Sequence, residues 1–177
     1  MNHSSPTEIT FSDSKQLVSI TDLNGIITYA NEEFCNVSGF TISELVGQHH
    51  NIVRHPGMPK AAFADLWQKL KQGESWRGMV KNRCKAGGYY WVDAYVTPLY
   101  ENSKVVGYQS VRTKPTDSQK QKAQQLYDAI NDGKVSQDFN ANTMLKRSLA
   151  AVIVVVACLI SALYTSPLAS TAIILTT

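Results

Sequence analysis

The run His49-His-Asn-Ile-Val-Arg-His-Pro56 brings three histidines, an asparagine and an arginine into one short stretch. Arg54 carries the planar fork that grips a phosphate through two parallel hydrogen bonds, and His55 offers a donor and a flat stacking surface. Metal binding needs ligands converging on one point, and no carboxylate or cysteine lies nearby to complete a set with His49, His50 and His55. A solvated polar loop is the other reading of the same residues. A second candidate is Asn82 in Trp76-Arg-Gly-Met-Val-Lys-Asn-Arg-Cys84. On a strand, alternation turns Trp76, Gly78, Val80, Asn82 and Cys84 inward and sends the cations Arg77, Lys81 and Arg83 to solvent. A buried carboxamide without partners costs about 1–3 kcal/mol, so Asn82 must bond either to neighbouring backbone or to the polar edge of a bound heterocycle. Trp67, Trp76, Trp91 and the tyrosines 89, 90 and 95 are either plain core or the walls of a planar-ligand pocket. No nucleophile elbow, phosphate loop, glycine-rich dinucleotide motif or carboxylate pair is present, so no enzyme constellation emerges. Cys35 has no positioned base and reads as structural.

These groups need a scaffold, and the rest of the sequence supplies one. Leu17–Thr21 and Ile26–Ala30 are short β-rich runs joined by Asp22-Leu-Asn-Gly25, a hairpin signal. Asn31 caps a short helix that starts with Glu32 and Glu33, and Thr41-Ile-Ser-Glu44 is a capping box closed by Gly47. Pro59 suits a helix start. From there Phe63, Leu66, Trp67 and Leu70 form one apolar stripe that ends at Gly73. Strands over 76–84, 89–99 and 104–113 follow. The fold class is α+β: a five-stranded antiparallel sheet with short helices on one face. After Pro115, Thr116-Asp-Ser-Gln119 opens a further helix carrying Ala123, Leu126, Tyr127 and Ile130, which packs on the core or on a second copy of the chain.

The 177 residues suffice for one domain and an appendage. A formal charge of +3 is too slight an excess to argue for nucleic acid. Three cysteines, far apart and odd in number, argue against a disulfide framework and point to a reducing, cytosolic setting. The start, MNHSSPTEITF, is not a secretory signal, and residues 1–14 read as a disordered tail. Every charged residue lies at or before Arg147. Leu149–Tyr164 has no charge and one serine, and extended to Ser166 it makes roughly 27 Å of helix, close to a bilayer's hydrocarbon thickness. Lys146 and Arg147 precede it, so the positive-inside rule keeps the first 147 residues in the cytoplasm. Beyond Pro167 the apolar run continues, as one kinked span or the start of a hairpin. The organisation is a tail (1–14), a folded core (15–114), a connector (115–147) and a membrane anchor (148–177).

The succession Thr21-Asp-Leu-Asn-Gly-Ile-Ile-Thr-Tyr-Ala-Asn-Glu-Glu-Phe34, Val37-Ser-Gly-Phe40 and Glu44-Leu-Val-Gly47 resembles the opening of a PAS domain. More narrowly, His50-Asn-Ile-Val-Arg-His-Pro56, Met58-Pro-Lys-Ala-Ala-Phe-Ala-Asp-Leu-Trp67, Val80-Lys-Asn-Arg83 and Tyr89-Tyr-Trp-Val92 resemble the PAS domain of bacterial aerotaxis receptors. The resemblance covers about residues 15–114, and its R-H-P-x-M-P-K-A-A-F motif is specific. It implies a PAS fold holding FAD noncovalently, with the flavin's redox state as the signal. Arg54, His55, Trp67 and Asn82 are the implied FAD contacts, with Asn31 and His50 next. Gly57 stands where the family usually has an acidic residue, which removes a partner for Arg54 or His55. The implied protein is a homodimer in the cytoplasmic membrane, held in lipid through residues 148–177. It reports to a chemoreceptor or kinase-control partner, and a truncated receptor and a stand-alone sensor both remain open. The alternatives are a haem-binding PAS sensor with His49, His50 or His55 as axial ligand, and a ligand-free dimerisation or docking module. A flavin–cysteine photoreceptor is disfavoured because residues 48–58 lack a cysteine.

Overall fold

The structure is a computed structural model and describes residues 7–134. The proposed anchor at 148–177 and the connector beyond residue 134 lie outside the described residues. Strands β1 (Leu17–Thr21) and β2 (Ile27–Ala30) form the expected hairpin. The Asp22 carboxylate accepts from the Asn24 and Ile26 amides at 2.8 and 2.9 Å, and Gly25 takes the left-handed φ of 78° that closes the turn. Asn31 caps α1 (Glu32–Ser38): its Oδ1 accepts from Phe34 N at 3.0 Å and Val18 N at 2.9 Å, and its Nδ2 donates to Gln16 O. The Thr41/Glu44 capping box opens α2 (Ile42–Leu45), and a 3₁₀ turn spans His50–Val53. Helix α3 runs over Lys60–Lys71, with Pro59 at its N-cap.

Three longer strands, β3 (Trp76–Arg83), β4 (Tyr89–Glu101) and β5 (Lys104–Thr113), complete an antiparallel sheet in the order β2-β1-β5-β4-β3. In the register, Ser19 faces Ser110 and Asn82 faces Tyr90, so the inner face carries Ser19, Ser110, Arg112 and Asn82. The helices and the 46–58 segment cover that face, around fully buried Leu17, Ile27, Phe34, Leu45 and Val53. The segment is tied to both sheet edges. His50 N donates to Gly25 O at the β2 side, and His55 N donates to Lys81 O at the β3 side.

Helix α4 (Asp117–Asn131) opens on the expected Thr116/Gln119 capping box and buries Ala123, Tyr127 and Ile130 against the outer sheet face at β3. The Tyr127 hydroxyl donates to Met79 O at 2.6 Å, and Lys81 Nζ donates to Gln124. Two expectations change here. Arg77 and Arg83 are exposed as alternation requires, but Lys81 is half-buried beneath α4 and 4.0 Å above the Tyr89 ring. Of the tail expected to be disordered over 1–14, residues 7–14 are instead tied to the fold, and residues 1–6 lie outside the described residues. Tyr89 N donates to Thr7 O, Ile9 N to Tyr89 O, Phe11 is buried, and Glu8 pairs with Lys120 of α4 at 2.8 Å.

Candidate functional site

Between α3 and the sheet lies a cavity of about 190 Å³. The apolar stripe read from the sequence forms its roof: Phe63, Leu66, Trp67 and Leu70 point down from α3. Leu70 is fully buried against the core, whereas Phe63, Leu66 and Trp67 are only half-buried because they face the open space. Trp67 meets Tyr108 edge to face at 5.6 Å, and its ring lies close to Gly25, where an added Cβ would come within 3.2 Å of it. An apolar stripe at helical spacing normally meets a packed sheet. Here it meets a hollow with a polar floor.

That floor is charged. Arg112, on β5, is buried, and its Nη2 donates to Ser19 Oγ at 3.0 Å and to His50 Nε2 at 2.6 Å. The guanidinium also lies 4.9 Å from the Phe34 ring centroid, on which the His50 imidazole stacks. Burial pushes Arg112 down to about 10, which leaves it a cation at neutral pH, and no carboxylate pairs with it among the described residues. Burial, and then the Arg112 charge, hold His50 well below the usual imidazole value, so His50 is neutral and can accept the Arg112 hydrogen bond.

Among the described residues, four buried polar atoms have no hydrogen-bond partner: Asn82 Nδ2, Ser110 Oγ, Arg112 Nη1 and Tyr90 Oη. The first three belong to residues lining the cavity, and Tyr90 is paired with Asn82 across the β3–β4 ladder. Burial raises the Tyr90 hydroxyl above its ordinary value. The nearby Arg112 charge, and after it the Asn82 side chain, temper that rise. Buried polar groups are nearly always satisfied by protein or ordered water, so three unsatisfied ones give this cavity a polar lining open to a hydrogen-bonding occupant.

The cavity opens past His49, Asn51 and Arg54 into a shallow polar groove of about 550 Å³, which Gln48, Ile52, Pro56 and Arg83 also line. Arg54 stands at the junction, with its guanidinium 4.3 Å over the Phe63 ring and Nη2 donating to Met58 O at 3.1 Å.

The sequence candidates therefore divide. His50, Trp67 and Asn82 line the cavity, and Arg54 lines both cavity and groove. His55 is absent from both linings; its ring meets Tyr89 edge to face at 5.7 Å. Asn31 is also absent, its amide spent on the α1 cap and the β1 end. Of the aromatic candidates, Trp67 and Trp76 line the cavity, while Tyr89, Trp91 and Tyr95 lie on the opposite sheet face by alternation. Arg112, Ser19 and Ser110 were missed. A usable signal was present: on a 104–113 strand, Arg112 shares a face with Tyr108 and Ser110, and a lone cation on an inward face of a central strand is rare. Among the described residues no cluster of three His, Cys, Asp or Glu could hold a metal ion, and no helix is long and apolar enough to cross a membrane.

Residues 27–112 match the family model described as PAS fold. The chain is 48% identical over 135 residues to the aerotaxis receptor of Escherichia coli (strain K12), a match covering 76% of this chain and 27% of that receptor. The folded part of the chain is a PAS domain of the aerotaxis-receptor family. This PAS domain is also 35% identical over 82 residues to the nitrogen fixation regulatory protein of Klebsiella pneumoniae, covering 46% of the chain and 17% of that protein. The chain thus spans about a quarter or less of the length of these relatives. Among solved structures, a light-oxygen-voltage domain studied with a flavin analogue superposes with a TM-score of 0.57 at 23% identity, covering 67% of this chain and 90% of that one. The PAS domain of a Colwellia psychrerythraea protein gives 0.52 at 25% identity, covering 57% and 86%.

Proposed function

We propose that this PAS domain binds FAD noncovalently and serves as a redox sensor for aerotaxis, passing the flavin's state to a chemotaxis-type signalling partner. The observation that carries the reading is the convergence of unpartnered Asn82 Nδ2, Ser110 Oγ and Arg112 Nη1 on a cavity roofed by an apolar helix stripe. A flat heterocycle with apolar faces and a polar edge fits both surfaces. The 190 Å³ of this partly open cavity exceeds the roughly 150 Å³ of an engineered cavity that takes benzene, room for the buried end of a fused ring. The groove leads on past Arg54 and Arg83 and suits the phosphates of a dinucleotide. The light-oxygen-voltage neighbour studied with a flavin analogue is in keeping with the ligand class, and the aerotaxis receptor of E. coli with the role.

Bound FAD supplies a ring that takes up electrons. The chain's own residues make that uptake favourable and readable. Arg112 holds a positive charge in a low-dielectric site, where it favours negative charge on any neighbour. Neutral His50 and Ser19 fix one guanidinium nitrogen and leave Nη1 for the ligand. Asn82 offers its amide from β3, and the same strand carries α4 on its other face through Met79 and Lys81. A change in what Asn82 bonds to therefore acts on the α4 contact. Of the three histidines considered as axial haem ligands, His50 is a poor one, since its Nε2 is already held by Arg112 and Ser19. The remaining parts of the proposal are a cytoplasmic sensor domain, an anchor in the cytoplasmic membrane through residues 148–177 and their lipid, and a homodimer. Sensing without turnover is the last part of the proposal, in keeping with the receptor that the chain resembles.

The test is the visible spectrum of the purified full chain after FAD is added and the excess removed. A retained flavin spectrum, bleached by dithionite and lost in Asn82→Ala, is expected. A colourless wild-type chain at saturating FAD, or a haem Soret band in its place, would overturn the reading.

A further inference from the structure

We propose that His55 is a positioning residue for the cavity mouth: its unprotonated Nδ1 accepts the Gly57 amide hydrogen and so holds the 54–58 turn that presents Arg54 to the ligand. The Gly57 N to His55 Nδ1 distance is 3.0 Å. An amide only donates, so Nδ1 must carry the lone pair here and the ring proton sits on Nε2. The turn is closed again by Met58 N donating to His55 O at 3.1 Å, and Arg54 Nη2 reaches back to Met58 O. The guanidinium's place over Phe63 therefore depends on the turn's shape.

The same turn is attached to the sheet and to α4. His55 N donates to Lys81 O, Lys81 N donates to the Met58 sulfur at 3.3 Å, and Arg54 and Asn82 form a backbone bridge. Asn131 at the end of α4 donates to Gly57 O at 3.0 Å. A single lone pair thus stands where mouth, β3 and α4 meet. Gly57 leaves room for it, since a Cβ there would lie 3.2 Å from Nδ1.

Protonation reverses the bond. Nδ1–H would point at Gly57 N–H, donor against donor, beside a second cation. The groups facing the ring are Lys81 from β3 and Tyr89 from β4. Asp128 of α4 and Glu8 of the N-terminal segment act on Lys81 rather than on His55. Burial, and then Lys81, hold His55 below the ordinary imidazole value of 6.5. The folded chain therefore binds this proton less readily than the unfolded one. The His55 contribution is complete above about pH 6.5 and is lost as the pH falls from there toward the lower folded value.

The ligand arm of this proposal rests on the flavin reading, and the stability arm does not. FAD affinity and the flavin-free urea midpoint are measured on the full chain from about pH 5 to pH 8 for wild type, His55→Asn and His55→Gln. The Asn carbonyl branches where Nδ1 does and does not titrate, so it can take the same hydrogen; the longer Gln carbonyl cannot. His50 titrates in both wild type and His55→Asn and cancels in their comparison. Relative to His55→Asn, wild-type affinity should be constant above about pH 6.5 and fall roughly 3–10-fold by pH 5, with a parallel drop in midpoint. His55→Gln should be weak throughout. Identical pH profiles for wild type and His55→Asn, or wild-type behaviour of His55→Gln at neutral pH, would overturn the proposal. If no variant binds FAD at any pH, the flavin reading fails and the urea midpoints still decide the role of His55.

Discussion

Replacing Arg112 with methionine separates the two demands made on this residue. The guanidinium is buried, and its fall from 12.5 to about 10 corresponds to about 3 kcal/mol held against the cation, at roughly 1.4 kcal/mol per tenfold change. Two hydrogen bonds, to Ser19 and His50, offset this by about 1.5 kcal/mol or more each. Those contributions nearly cancel, and methionine fills most of the volume without a charge. In the flavin-free chain Arg112→Met should therefore shift unfolding stability by less than about 1 kcal/mol, whereas breaking a buried ion pair costs about 3–5 kcal/mol. FAD affinity should fall at least tenfold, because the group that meets the ligand's polar edge is gone. Urea denaturation of the flavin-free chain gives the first number, and titration followed by flavin fluorescence gives the second. A stability loss above about 3 kcal/mol with affinity unchanged would refute the reasoning, since Arg112 would then be a structural pin with no ligand role.

Three further outcomes follow from the same geometry. Asn82→Ala should cost the flavin-free chain under about 1 kcal/mol in urea denaturation, because Nδ2 has no hydrogen bond to lose, while lowering FAD affinity about tenfold or more. Leu70→Ala should destabilise by about 2–5 kcal/mol, and Leu66→Ala, one turn earlier on the roof of the cavity, by less than half as much. Gly25→Ala combines a φ of 78° with a Cβ 3.2 Å from the Trp67 ring, and thermal unfolding should show a loss of about 1–2 kcal/mol.

Local signals carried most of the fold. The Asp22–Gly25 turn, the Asn31 cap and the two capping boxes each act within a few residues, and all four stand where the sequence indicates. Alternation along 76–84 turned Asn82 inward because the β3–β4 pairing is regular from Trp76 to Arg83. What stayed hidden depends on contacts between distant segments. Thr7 and Ile9 are ordered by Tyr89, some eighty residues away, and Glu8 by Lys120, so a polar run read in isolation looked like a free tail. Lys81 is covered only because α4 folds back on β3. His55 and Arg54 are neighbours in an irregular loop, where no period dictates direction, and they point to different surroundings.

The same contrast bears on how a signal could leave the cavity. Successive residues of a strand face opposite sides, so Asn82 looks into the cavity while Lys81 looks at α4. The peptide between them is shared. The segment that lines the mouth is joined to that strand by the Arg54–Asn82 bridge and the His55–Lys81 bond, and α4 is joined to the segment through Asn131 and Gly57. These contacts form a closed circuit of cavity wall, mouth and outer helix, in which no member can move far without breaking a hydrogen bond to another. A sheet packed against a solid core would transmit little along such a circuit, because every side chain is already fixed on both faces. Here the inner face keeps unsatisfied groups on Asn82, Ser110 and Arg112, so the state of the circuit depends on what those groups meet.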